Sequence, residues 1–219
     1  MALRTIHLKL PASAADLATL QLGDVVYLTG RVHTAREGVY KRVVDEGVAL
    51  PAEIGTASFH CSPAASLNHN GAPTVGAVTA TASFRFSKWI EGWLKVSGTN
   101  IVIGKGGMAS ADYRRAFVPN KAIYLTTVGY GTGALLGRGI KAIAATHWLS
   151  ELGLAQGIWV LEVEDFGPFL VESDLAGNSL FERENAKIAP GIEKLYAGTR
   201  PATLRRFGET DDRTDEVIS

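Results

Sequence analysis

Ile101-Val102-Ile103-Gly104-Lys105-Gly106-Gly107 is a β-branched run that stops on a bare glycine turn carrying a single lysine. Glycines remove the Cβ atoms that would hold a ligand away and admit positive φ, and the strand behind them fixes where the ammonium points. The stretch therefore predicts a strand end that presents one cation to an anionic ligand. A solvated Gly-Lys-Gly-Gly turn with no ligand is the commoner outcome of the same turn chemistry, so the neighbouring segments decide.

Downstream, Ile123 to Val128 is a second β-type run, and Ser110 to Phe117 has the spacing of a short amphipathic helix between the two. Upstream, Trp89, Trp93 and Leu94 mark the apolar face of a helix that ends at Gly98. Val78 to Arg85 alternates small and polar residues, and Ser62 to Gly76, rich in Asn, Gly and Pro, reads as an exposed loop. Ala57 to His60 is a short strand, and Val25-Val26-Tyr27-Leu28-Thr29 is another, closed by Gly30. Arg36 to Asp45 has helical spacing of Val39, Val43 and Val44, which sets Arg36 near a helix N-terminus, where free N–H groups and the dipole favour an anion. A helix is expected after Ser13 with Asp16 in its first turn, another at Ala134 to Ile140, and strands at Ala142 to Thr146, Ile158 to Glu162 and Phe169 to Glu172. Strands and helices alternate without a repeat, which predicts one mixed α/β domain over residues 1–198 and a polar tail over 199–219.

With 219 residues and 46% hydrophobic content the chain can bury a full core. Lys plus Arg equals Asp plus Glu at 22 each, so no net basic field attracts nucleic acid. No apolar run approaches the roughly 18 to 20 residues of a membrane span, and the first residues lack the charged, apolar, small-residue order of a secretion signal; both predict a cytoplasmic protein. One cysteine, Cys61, excludes an intrachain disulfide and cannot supply the thiolates of an iron-sulfur site by itself.

Other candidate motifs carry less. Gly129-Tyr130-Gly131-Thr132-Gly133 follows a strand, but its spacing is not Gly-x-Gly-x-x-Gly, and close packing of a helix start explains it better than a nucleotide loop. His7, His33, His60, His69 and His147 show no metal-ligand spacing and read as surface or hydrogen-bonded histidines. Glu162, Glu164 and Asp165 suit a solvated strand end more than an acid/base pair, and Cys61, with no base nearby in sequence, suits a buried position more than a nucleophile. What survives is Arg36, Thr81, Arg85 and Lys105: three cations and a hydroxyl, a set suited to a small dicarboxylate because guanidinium binds carboxylate bidentately and lysine adds a point charge.

The order of pieces is itself distinctive. Gly23-Asp24-Val25-Val26-Tyr27-Leu28-Thr29-Gly30, Thr34-Ala35-Arg36, Lys41-Arg42, Phe59-His60, Ile103-Gly104-Lys105-Gly106-Gly107-Met108, His147-Trp148, Glu151-Leu152-Gly153, Val163-Glu164-Asp165-Phe166-Gly167-Pro168 and Gly177-Asn178 succeed one another from about Leu10 to Ile188. In this the chain resembles the β subunit of iron-sulfur tartrate dehydratases, equivalent to the C-terminal domain of class I fumarases. The resemblance implies a swivelling β/β/α domain that closes on a cluster-bearing α subunit, in a heterotetramer that reversibly removes water from a 2-hydroxy dicarboxylate. The [4Fe-4S] cluster would be held by the partner and not by this chain, which fits the lone Cys61. Position by position, the resemblance makes Arg36, Arg85 and Lys105 the substrate-binding cations and Thr81 and Lys105 the catalytic pair, with Thr81 at the deprotonation step.

Departures from the family pattern are local. The family's Ala-Arg-Asp is followed by a histidine four residues after the arginine, where this chain has Glu37 and Tyr40, and its Gly-Pro-Thr-Thr loop reads Thr79-Ala80-Thr81-Ala82 here. Phe86 and Ser87 replace the usual Met and acidic residue, and Ser62 stands where a glycine precedes Pro63. Because the cations and Thr81 remain, a shifted pocket follows; the alternative is a non-catalytic dicarboxylate-binding or assembly domain that kept the clamp.

Overall fold

The computed structural model describes residues 3–129 and 131–198. In chain order the strands are β1 (Thr5–Lys9), β2 (Val25–Thr34), β3 (Ala57–Phe59), β4 (Cys61–Leu67), β5 (Pro73–Ala80), β6 (Ile101–Gly104), β7 (Ile123–Thr127), β8 (Ile140–His147) and β9 (Ile158–Ser173). The helices are α1 (Ala14–Ala18), α2 (Glu37–Tyr40), α3 (Ser87–Ser97), α4 (Ser110–Asp112), α5 (Thr132–Gly139), α6 (Leu149–Leu152) and α7 (Leu180–Tyr196). The chain divides into two compact units, Met1–Glu182 and Arg183–Ser219. In the second, the described residues continue the helix, with Pro190 inside it and Lys187 paired to Glu184 at 2.9 Å. The expected polar tail over 199–219 lies outside the described residues.

The mixed α/β expectation holds, with a barrel-like core. Strands β1, β2, β3, β6 and β7 run parallel side by side, and the antiparallel β9 pairs with β7 on one side and β2 on the other. That double pairing, from Tyr124↔Ser173 to Thr127↔Phe169 and from Val25↔Leu170 to His33↔Val160, closes β2, β3, β6, β7 and β9 into a ring. Closure removes two open edges, and β8 covers the first half of β9. Alternation sorts the side chains into two cores. Ile101, Ile103, Ile123 and Leu125 point into the ring with Leu28 and Phe169. Val102 and Tyr124, one residue out of phase, face an outer layer with Tyr40, Trp93 and Phe117.

Local signals set most element ends. Ser13 and Asp16 form a reciprocal capping box at α1, and Gly98 ends α3 in the left-handed conformation, with Trp89, Trp93 and Leu94 buried as their spacing predicts. Other boundaries move. β2 does not stop at Gly30 but runs to Thr34, paired with β3 and β9; the glycine instead makes room for Leu10, whose N–H donates to Thr29 O at 2.8 Å and whose O would lie 2.8 Å from a Cβ on Gly30. Ser62 to Gly76 is not a loop but most of the β4–β5 hairpin. Cys61, Pro63, Val78 and Ala80 bury one face, and only Asn68 to Ala72 turns. The two strands expected at 158 to 162 and 169 to 172 are one, and Glu162, Glu164 and Asp165 lie within it rather than at an end.

Helix α5 rests on β5 through glycine. A Cβ on Gly133 would lie 3.0 Å from Val78 O, and one on Gly137 would lie 2.5 Å from Gly76 O. This is the close packing expected of the Gly129 to Gly133 stretch. Gly137→Ala is therefore expected to lower stability by about 1 kcal/mol or more, because a clash with backbone outweighs the helix-propensity gain of about 1 kcal/mol. A urea midpoint that rises instead would show that α5 does not rest on the hairpin.

Candidate functional site

The parallel strands β2, β3, β6 and β7 end together on one side of the sheet, the edge where ligands bind in α/β proteins. Lys105 follows β6 directly, Arg36 comes two residues after β2, and Thr81 immediately follows β5. Backbone bonds lock these ends together. His60 N–H donates to Ile103 O (2.8 Å), Thr81 N–H to His60 O (2.6 Å), Lys105 N–H to Thr81 O (3.3 Å) and Ser83 N–H to Lys105 O (3.3 Å). Thr81 and Lys105 are thus brought side by side.

The two arginines reach this edge by other routes. Arg36 occupies the N-cap position of α2, and Ala35 N–H donates to Phe59 O at 3.1 Å, tying it to the end of β3. Its guanidinium donates to Ser62 Oγ and, at 3.2 Å, to Ala155 O, while its Nε is buried without a partner. Ser62, the residue standing where the family has glycine, thus serves to hold this arginine. Arg85 lies on a 3₁₀ turn, Ser83–Phe86, exposed, with its guanidinium carbon 5.6 Å from the Phe86 ring centroid.

Lys105 also lines a cleft of about 440 Å³, whose other walls are β5 from Ala77 to Ala80, Thr127, Gly129 and the start of α5 from Gly131 to Ala134. Its size suits a small molecule, and its small side chains leave Lys105 the one charged group among the lining residues.

Beneath the turn runs a buried polar chain. Tyr40 hydroxyl bonds His60 Nε2, His60 Nδ1 bonds Ser83 Oγ at 2.6 Å, and Ser83 Oγ bonds Tyr124 hydroxyl at 2.6 Å. All four side chains are fully buried. Burial and the neighbouring His33 hold the His60 imidazolium down to about 3, and burial raises both tyrosines above their ordinary range, so every member is neutral. Tyr40, which stands where the family pattern has a histidine, thus bonds the imidazole of His60. Gly104 makes the chain possible: its φ is not positive, but a Cβ there would collide with Ser83 Oγ and lie 2.5 Å from Tyr124 hydroxyl. Gly106 and Gly107, at φ +76° and +70°, meet the conformational demand instead. The far end of the turn is pinned where Met108 N–H donates to Tyr113 hydroxyl (2.8 Å), which donates to the buried Glu172. Sequence reasoning missed Ser83 and Tyr124; the one available signal was the hydroxyl of Tyr124 in a run otherwise reading as core, and Ser83, among small and polar neighbours, offered none.

The weaker motifs resolve as ordinary structure. His60 is a hydrogen-bonded core histidine, and His7 is an exposed one paired to Asp165 at 2.9 Å. Glu162 pairs with Arg31 at 2.7 Å and Glu164 with Lys141 at 3.5 Å. Cys61 is fully buried, and burial pushes its thiol up, which favours the protonated form out of reach of solvent. The described residues of this chain therefore do not fit an iron-sulfur cluster, and none of them form a group of three or more His, Cys, Asp and Glu able to hold a metal ion. Nor is any described helix long and apolar enough to cross a membrane.

Comparison with known proteins shows the family. The family described as Fumarase C-terminus matches residues 2–184. The L(+)-tartrate dehydratase subunit beta of Escherichia coli (strain K12) is 32% identical over 179 residues, 81% of this chain and 87% of that one. A Methanocaldococcus jannaschii protein provisionally given the same name is 29% identical over 183 residues, 82% of this chain and 93% of that one. A Geobacillus stearothermophilus protein provisionally named fumarate hydratase class I is 31% identical over 179 residues, 82% of this chain but 34% of the longer protein.

Proposed function

The chain belongs to the Fumarase C-terminus family, and from that premise we propose that it is the β subunit of a heteromeric hydro-lyase that reversibly removes water from a small 2-hydroxy dicarboxylate. The observation that carries this is the ladder that sets Thr81 beside Lys105 at the edge where Arg36 and Arg85 also emerge. Three cations match two carboxylates, and a hydroxyl among them matches a proton-transfer step.

In this proposal Arg36, held by Ser62, and Arg85 grip the carboxylates. Lys105 adds a point charge to the lining of the cleft. Thr81 takes the proton from the carbon next to the one bearing the hydroxyl; that C–H electron pair becomes the new C=C bond as hydroxide leaves. A threonine hydroxyl is a poor base unless its alkoxide is stabilised; in this proposal Lys105, whose backbone bonds that of Thr81, supplies the cation that does so. The domain, residues 1–198, swivels to close on a partner, a cluster-bearing α subunit, in a cytoplasmic heterotetramer. In this proposal the iron-sulfur cluster belongs to that partner, a reading that the burial of Cys61, the one cysteine of this chain, supports.

The chain purified alone is expected to be colourless and without dehydratase activity, and to gain activity against tartrate-like or malate-like diacids on anaerobic reconstitution with the α subunit. Full turnover by the isolated chain, or tight stoichiometric iron-sulfur binding to it, would sink the proposal.

A further inference from the structure

We propose that Ser83 is a positioning residue for Thr81: through His60 and Tyr124 it sets where the Thr81 hydroxyl stands relative to Lys105. This rests on the dehydratase reading above. Ser83 is two residues beyond Thr81 and two before Arg85, and its N–H donates to Lys105 O, so its backbone belongs to the functional ladder while its side chain belongs to the buried chain. Each end of that chain is fixed by a different element, Tyr40 in α2 and Tyr124 in β7. The segment from Thr81 to Ser83, which forms a single bridge to Lys105 at Ala82, is therefore clamped from two sides of the fold.

The chain is costly to build as mere filling. Four buried polar side chains stabilise a core only when mutually satisfied, and this run also obliges position 104 to be glycine, next to the lysine itself. It is satisfied in either direction, because neutral His60 donates from one ring nitrogen and accepts at the other. Removing the Ser83 hydroxyl breaks the run at its centre and frees the segment that carries Thr81.

The two functional side chains differ in how they tolerate such a shift. Lys105 reaches its ligand on a flexible four-carbon stem and can follow a sub-ångström displacement, whereas Thr81 has a single rotatable bond and cannot. Loss of Ser83 therefore affects turnover more than binding. In the reconstituted complex, Ser83→Ala is expected to lower kcat about 10-fold or more while KM stays within about three-fold. Tyr124→Phe, which removes the other partner without changing volume, is expected to act in the same direction, and the double variant to be no worse than the more impaired single one. In a Thr81→Ala background, Ser83→Ala is expected to cost nothing further in kcat.

Thermal unfolding and co-elution with the α subunit accompany each variant; should Ser83→Ala fail to fold, Tyr124→Phe and its combination with Thr81→Ala carry the test. Parent-like turnover in folded, assembled Ser83→Ala and Tyr124→Phe overturns the proposal. So does an equal loss from Ser83→Ala in the parent and in Thr81→Ala. Both of these leave the dehydratase assignment standing if Thr81→Ala is itself impaired. Parent-like turnover in Thr81→Ala removes the proton-transfer role of Thr81 and this inference together.

Discussion

Lys105→Ala and Arg85→Ala, each in the complex with the partner subunit, are expected to lower kcat/KM by roughly 100-fold or more, equivalent to about 2.7 kcal/mol of lost transition-state stabilisation. Both side chains are exposed, so truncation strands no buried polar partner and is expected to leave folding and assembly unchanged. Arg85→Lys is expected to recover only part of the loss, because an ammonium cannot reproduce two parallel N–H bonds to a carboxylate. Arg36→Ala is a less clean test of the same clamp, since it also strips Ser62 Oγ of its donor and leaves Ala155 O with the Ser62 hydroxyl alone. Steady-state kinetics on folded, partner-bound variants decide the matter. Near-parental kcat/KM would take Lys105 and Arg85 out of the site.

The α/β class, the cap of α1, the end of α3 and the glycine turn after β6 were legible because each is written in adjacent residues: Ser13 with Asp16, Trp89 with Trp93 and Gly98, Ile101-Val102-Ile103 before Gly104. What was not legible depends on distant ones. The closed ring needs β9 to pair with both β2 and β7, and no local pattern specifies two partners for one strand. Gly30 looked like a stop because the Leu10 segment that requires it is twenty residues away. The hairpin was hidden by its small side chains, which carry the β pattern at Cys61, Pro63, Val78 and Ala80 with little hydrophobic contrast.

The site divides in the same way. Arg36, Thr81, Arg85 and Lys105 could be chosen by residue type and family likeness, but the ladder joining Thr81 to Lys105 spans 24 residues and is a product of the fold. The departures at 40 and 62 illustrate the limit most directly. Taken singly, Tyr40 is a lost imidazole and Ser62 an added side chain. In the fold, Tyr40 bonds the imidazole of His60, and Ser62 accepts from Arg36. Both changes have local partners, and no adjacent residue in the sequence announces either of them.

Thr81→Ala is expected to cut kcat by about 100- to 10,000-fold, the range of a lost proton-transfer group, with a much smaller change in substrate binding. A group that acts on the proton contributes chiefly in the transition state, so its removal leaves the ground-state clamp of Arg36, Arg85 and Lys105 in place. The backbone argument supports a clean variant: Thr81 meets its neighbours through N–H and C=O, to His60 O and from Lys105 N–H, and alanine keeps both bonds. Ala82→Thr, which restores the residue of the family loop, makes a contrasting pair. Ala82 is half-buried and bridged to Lys105, so a larger side chain there reshapes the pocket and is expected to change the ratio of kcat/KM between diacids more than kcat for the best one. Turnover and binding must be measured separately, the latter by equilibrium titration of the assembled complex with a non-reacting diacid. If Thr81→Ala keeps parental turnover while another hydroxyl or carboxylate proves indispensable, the proton passes elsewhere, and Thr81 serves only the backbone ladder beside Lys105.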